Sequence, residues 1–267
     1  MGEIYDSLKK AIREEDAVAL VTQVQGPKPG AKMLASEDRT LGTLGDPDLD
    51  RVASAGALNM LQHGAISTVH YGPKGEEDGS EVELFIQSFA PPPLMYVFGA
   101  VNLASAVVRI GKFLGYRVTV CDARKVFATK ERFPEADEIA VQWPNEFLET
   151  AKVDRRTAIC ILTHDPKFDI PLLQVALKTK AGYIGAMGSR RTHQKRVANL
   201  LEVGVTEEEL DRIMAPLGLD IGASQPEEVA VAVAAQIIAN RYGRPGGSLK
   251  HSDGRIHAKP EPEKVPG

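Results

Sequence analysis

The feature that most constrains this chain is a change of patterning across Ala90-Pro91-Pro92-Pro93. Prolines lack the N–H that a helix or a ladder needs, and a run of them stiffens the connection it forms. Before the break the strands alternate. In EVELFIQ (81–87), Val82, Leu84 and Ile86 interleave with Glu81, Glu83 and Gln87. One face is wet, which suits a small mixed or antiparallel sheet. After the break come LMYVFG, RVTVCD, EIAVQ, AICILTHD and GYIGAMGS, largely apolar runs interspersed with helical segments such as DIPLLQVALKT. Apolar strands alternating with helices imply a parallel sheet covered on both faces. The right-handed crossover rule makes that sheet doubly wound.

The pattern predicts an α/β protein in four parts. Residues 1–89 form a small N-terminal α+β domain, 90–93 a proline-rich linker, 94–243 a Rossmann-like domain with C-terminal helices, and 244–267 a flexible tail rich in Pro, Gly and Lys. In the first part, Ile4, Leu8 and Ile12 mark one face of a helix over 3–15. AVALVTQV (17–24), AKMLAS (31–36) and ISTVHY (66–71) read as strands, EDRTLGTLGDPD (37–48) as turns, and Asp48 as the cap of a helix through DRVASAGALNMLQ. EVELFIQ is expected at an exposed sheet edge. Near the C-terminus, TEEELDRIM reads as a helix with Thr206 and Glu209 as its capping box, and PEEVAVAVAAQIIANRYG as a buried last helix.

Composition excludes several classes. There are 32 Lys plus Arg against 36 Asp plus Glu, a net charge of -4, so no global charge favours nucleic acid. No apolar run approaches the roughly 18–20 residues of a membrane span. The start, MGEIYDSLKK, has no apolar signal core, so the expected compartment is the cytoplasm. The only cysteines are Cys121 and Cys160, too few for a four-cysteine zinc site or iron–sulfur cluster from one chain. Both fall in apolar runs and read as buried thiols.

Three loops could carry chemistry. VFGAVNLA places Gly99 at a strand end and Asn102 at a helix start, where a dinucleotide fold holds phosphate on helix N–H groups. Asp122 ends the next strand, the position of a ribose-binding carboxylate, with Arg124 beside it. In Gly-x-Gly-x-x-Gly/Ala the second glycine admits pyrophosphate; here it is Val101, which crowds that approach. NAD-type binding, a merely structural turn, and another nucleotide or pterin-phosphate ligand all remain open on these residues. Thr163-His164-Asp165 sits at the crevice end of a parallel strand, either as ligand contacts or an acid–base pair, or with Asp165 or Asp169 capping the next helix. GAMGSRR offers Gly185 and Gly188 for close backbone approach, Ser189 as a cap, and Arg190 and Arg191 as charge, with Lys195 and Arg196 extending the basic face. This is a phosphate site or a solvated charged face. GPKPGAKM, with Lys28 and Lys32, reads equally as an anion turn or a rigid hairpin. No metal site is assigned.

Taken together, THDPKFDIPLL, YIGAMGSRRTHQKR, IGASQPEEVAVAVAAQI and RVTVCDARKVFATKERFPEAD resemble the XdhC/CoxI family, accessory factors of xanthine and carbon monoxide dehydrogenases. The resemblance runs from about residue 15 to 243. It implies a small N-terminal domain before a Rossmann-like domain, and a maturation factor rather than a hydroxylase. Its cargo would be molybdenum cofactor (molybdopterin), its client a molybdo-hydroxylase such as xanthine dehydrogenase, and a cysteine desulfurase a further partner. A homodimer is expected. The family's Gly-Ala-Gly-His turn is here Gly99-Ala100-Val101-Asn102, and its Gly-Gly-Gly-Cys-x-Glu segment is replaced by Gly45-Asp46-Pro47-Asp48-Leu49-Asp50. The alternative is an NAD(P)-dependent oxidoreductase or a dinucleotide sensor using the same crevice.

Overall fold

The proline run separates two kinds of sheet. In a computed structural model, which describes residues 2–77, 79–252 and 256, the chain divides into two compact units on either side of the Pro91–Pro92 bond, the second ending at Ser252.

The first unit contains α1 (Gly2–Arg13), β1 (Val18–Gln25), β2 (Lys32–Ala35), β3 (Thr40–Thr43), α2 (Pro47–His63), β4 (Ile66–Tyr71) and β5 (Val82–Phe89). Its sheet is antiparallel in the order β3-β2-β1-β5-β4. Strand alternation sends side chains to opposite faces. Ala19, Val21, Met33, Leu84 and Ile86 meet Leu49, Ala53, Ala57 and Leu61 of α2. Val18, Leu20 and Leu34 meet Ile4, Leu8 and Ala11 of α1. GPKPG is the hairpin connection of β1 and β2: Gly30 N–H donates to the Gln23 carbonyl at 2.8 Å and Lys28 N–H to Gln23 Oε1 at 3.2 Å.

Three readings of this unit need correction. β5 is not an edge, because it pairs with β1 on one side and β4 on the other. Thr40–Thr43 is a strand, held by β2. The cap of α2 is Asp46 rather than Asp48: its carboxylate accepts from the N–H groups of Asp48 and Leu49, and Pro47 takes the first helical position.

The second unit contains β6 (Leu94–Phe98), α3 (Asn102–Phe113), β7 (Arg117–Cys121), β8 (Glu138–Ala140), α4 (Pro144–Thr150), β9 (Ala158–Ile161), α5 (Pro166–Ala176), β10 (Tyr183–Ala186), α6 (Arg190–Glu202), α7 (Glu207–Leu210), β11 (Ile213–Met214) and α8 (Pro226–Arg241). The sheet is parallel in the order β11-β10-β9-β6-β7-β8. From β6 the chain winds one way to β7, and from β9 the other way to β10. The order therefore reverses between β6 and β9, and the crevice of a doubly wound sheet lies there. On one face Val97, Val118, Val120 and Cys160 pack with Val107 and Val108 of α3 and Val233 and Ile237 of α8. On the other, Phe98, Ile159, Ile161 and Ile184 pack with Leu148 of α4, Leu172 and Leu173 of α5, and Leu200 of α6.

Two more expectations change. TEEELDRIM is one helical turn with the foreseen capping box, and then Ile213 and Met214 pair with β10. The last helix is buried along one face only: Val231 and Ile238 on its other side are half exposed. Of the tail, a 3-10 turn at Leu249–His251 is described; the greater part lies outside the described residues.

Candidate functional site

The first loop of the crevice is built on Gly99. Its φ of +100° is open to glycine and strained for other residues. A Cβ there would stand 2.7 Å from Thr163 Cγ2 and 3.0 Å from the Thr163 nitrogen. The Gly99 turn and the end of β9 thus touch only because the side chain is missing. Val101 is the N-cap of α3 and offers no side-chain acceptor, so the first N–H groups of the helix, beginning at exposed Asn102, are uncapped.

Asp122 holds this turn from the side. Its Oδ2 accepts from the Ala100 N–H at 2.8 Å and Arg124 Nη2 at 2.8 Å; Oδ1 accepts from the Arg124 N–H and Nε, both at 2.9 Å. The residue is 3% exposed. Burial pushes its pKa up, but the Arg124 side chain and the two backbone donors outweigh this and hold it below the ordinary carboxylate value. A carboxylate has about four acceptor positions, and here all are taken. A ribose diol at Asp122 has to displace Arg124, which also stacks on Phe127 at 4.6 Å.

At β9, Thr163 faces inward. Its hydroxyl donates to Asp169 Oδ1; Asp169 Oδ2 accepts from Arg196 Nη2 at 2.9 Å, and the same nitrogen donates to the Met187 carbonyl at 2.7 Å. Asp169 and Arg196 are 3% and 4% exposed. This chain of contacts runs from the Gly99 turn through Thr163 to the loop before α6. The reading of Arg196 as part of a solvated basic face is therefore overturned: Arg196 lies inward, four residues before buried Leu200. That spacing is the sequence signal that could have found it.

His164 and Asp165 are both exposed, and Asp165 Oδ1 accepts from the N–H of Lys167 as the cap of α5. Among the described residues no three His, Cys, Asp or Glu side chains converge as a metal site. Gly185 lies inside β10, where a Cβ would meet the Tyr183 ring, so its small size makes room for that ring. Gly188, at φ +140°, forms the turn before α6; a Cβ there would meet Thr192. Ser189 caps α6 through the Thr192 N–H at 3.1 Å, and Arg190 and Arg191 are exposed in its first turn. Burial and the neighbouring Arg196 push the His193 imidazole down. Both cysteines are free and buried, their thiols pushed up to about 12 by burial, so neither is a ready thiolate.

This doubly wound unit, with its glycine turn at the switch point, matches the XdhC Rossmann domain over residues 95–237. The preceding unit matches the XdhC and CoxI family model over residues 11–72. The chain belongs to the XdhC and CoxI family. Among curated proteins, this family member is 26% identical over 244 residues to the uncharacterized protein YqeB of Escherichia coli, covering 87% of this chain and 45% of YqeB. It is 28% identical to a probable xanthine dehydrogenase subunit of Bacillus subtilis, over 59% of this chain and 46% of that one. It is 38% identical over 92 residues to the molybdenum cofactor insertion chaperone PaoD of Escherichia coli, over 34% and 29% of the two chains. The chain spans less than half the length of each of these relatives. A crystal structure of a xanthine dehydrogenase from Bacillus halodurans shares the fold, with a TM-score of 0.61 and 24% identity over 94% of this chain and 71% of that one. No described helix of this XdhC and CoxI family member is long and apolar enough to cross a membrane.

Proposed function

We propose that the chain binds molybdenum cofactor as cargo and delivers it to a molybdo-hydroxylase of the xanthine dehydrogenase kind. Membership of the family and the likeness to PaoD support this reading. The observation that carries it is the state of the carboxylates at the crevice. Asp122, Asp165 and Asp169 are all engaged by donors of the protein itself. What the edge offers a ligand is uncapped helix N–H groups beside Gly99 and the cations of Arg190 and Arg191. That donor set suits holding an anionic, labile group. A carrier needs no more: it lowers the free concentration of its cargo until a client interface takes it over. On this reading Gly99, Asn102, Thr163, His164, Gly188, Ser189 and Arg190 border the ligand. Asp122, Arg124, Asp165 and Gly185 shape the loops that do so.

The placement of Asp122 at the end of β7 favours a second reading, a dinucleotide-binding oxidoreductase or sensor using NAD(P). Its saturated carboxylate and the branched Val101 oppose it. The two are separated by measuring molybdenum and oxidised-pterin fluorescence on protein purified from a host that makes the cofactor, beside His164→Ala and Arg190→Ala. Near-stoichiometric pterin, reduced in both variants, is the expected result. A pterin-free protein that binds NAD(P) tightly would sink the carrier reading.

A further inference from the structure

Between the N-terminal halves of α5 and α6 lies a cavity of about 300 Å³. Its polar lining is Arg191, Lys195 and Arg196 against a single carboxylate, Asp169, with His164, Thr192 and Asn199. Arg191, Lys195 and Asn199 recur every fourth residue, so they form one stripe along α6. Arg196 stands beside that stripe, nearly fully buried. One of its nitrogens, Nη2, serves both Asp169 and the Met187 carbonyl. Its Nε and Nη1 are buried and have no hydrogen-bond partner among the described residues. Those two atoms carry three of the five N–H groups of a guanidinium. Buried donors are nearly always satisfied in native proteins, because leaving them bare is costly.

We propose that this cavity is a subsite for a phosphate group, the dianionic monoester end of a ligand. Three cations face one carboxylate that is already paired, so the lining carries excess positive charge for a dianion. A tetrahedral phosphate accepts from several directions at once, as a buried guanidinium, a second guanidinium and an ammonium group require. About 300 Å³ is the small end of ligand pockets, room for a phosphate and its adjoining fragment. Ser189 already caps α6, so the subsite is on the flank of the helix and not at its end. The identity of the ligand as the carrier's cargo rests on the reading above; the subsite itself stands on Arg196 and its surroundings.

The test is calorimetric titration of the full chain with inorganic phosphate against chloride at matched ionic strength. Lys195→Glu and Arg191→Glu change exposed positions and leave the core intact. Arg196→Gln is the direct variant, with circular dichroism as its folding control. Saturable binding of one phosphate, weakened at least tenfold by Lys195→Glu and lost in Arg196→Gln, is expected. Heats that never saturate, or an affinity that Lys195→Glu leaves unchanged, would overturn the subsite. Pterin content of the same preparations distinguishes cargo from free phosphate: it is expected to fall in Lys195→Glu, and wild-type pterin in a variant that has lost phosphate binding would overturn the assignment to cargo. The carrier reading fails differently, by wild-type protein that binds phosphate and holds no pterin.

Discussion

Arg196 and Asp122 show what a single residue contributes here. Removing the Asp169 carboxylate strands the buried Arg196 charge. Breaking a buried pair in this way costs on the order of 3–5 kcal/mol. Asp169→Ala should therefore lower the urea midpoint of the second unit sharply, whereas Thr163→Val, which removes one donor from that carboxylate and leaves the ion pair in place, should cost less, about 1.5–3 kcal/mol. Equal effects of the two would refute the account of Arg196 as the dependent group. Asp122 sets a pH dependence. Its folded-state pKa is held below the unfolded value of about 3.9. Folding therefore favours the proton-free form, and this stabilisation is present above the unfolded pKa and is lost as pH falls through the folded one. Denaturation midpoints followed down from pH 6 should drop in acid, with a shallower drop in Asp122→Asn. The position of Asp122 was legible, since strand ends in such sheets face ligands. Its bonding was not: four donors converge on it from Ala100 and Arg124, and only the folded turn brings Ala100 there.

Elements were legible where the residues themselves carry the pattern. The five strands β6 to β10 are apolar runs, and a continuous run with a turn at each end has few other solutions. β3 and β11 escaped because partners define them: Ile213 and Met214 extend only by pairing with Ile184 and Gly185. β5 was misplaced for a related reason. Its alternation states that one face is wetter, and says nothing about whether its two edges are occupied. For α2 the signal was present and misread, since a proline at the first helical position points to the residue before it as cap. Asp46→Ala should cost about 1 kcal/mol of first-unit stability, and Asp48→Ala less than about 0.5 kcal/mol. A chemical denaturation series on the two variants checks the order, and a larger loss at Asp48 would contradict it.

At the scale of the whole molecule, the net charge of -4 hides a local excess of cations. Arg190, Arg191 and Lys195 lie on one helix beside the crevice. Binding of an anionic ligand there should weaken with added salt, because exposed charges are screened over about 8–10 Å at ordinary ionic strength. Titrations at low and high NaCl would show it; an affinity indifferent to salt would argue for an apolar mode of binding. Each unit has its own hydrophobic clusters. Residues 92–252 expressed alone should give a cooperative thermal transition and keep the phosphate titration of the full chain, since every residue lining the cavity lies within them. Failure of that fragment to fold would show that the proline run does not bound an independent domain.

The packing of α8 over α3 bears on how the protein is made. Val107 and Val108 emerge early in synthesis, but Ala230, Val233 and Ile237, which cover them, belong to the last helix to be translated in this unit. Until then that face of the parallel sheet is covered by α3 alone, and the apolar side that α3 turns to α8 is uncovered. A ribosome that stops before Pro226 releases a product in which Val107 and Val108 lack their α8 partners, a substrate for holdase chaperones and for aggregation.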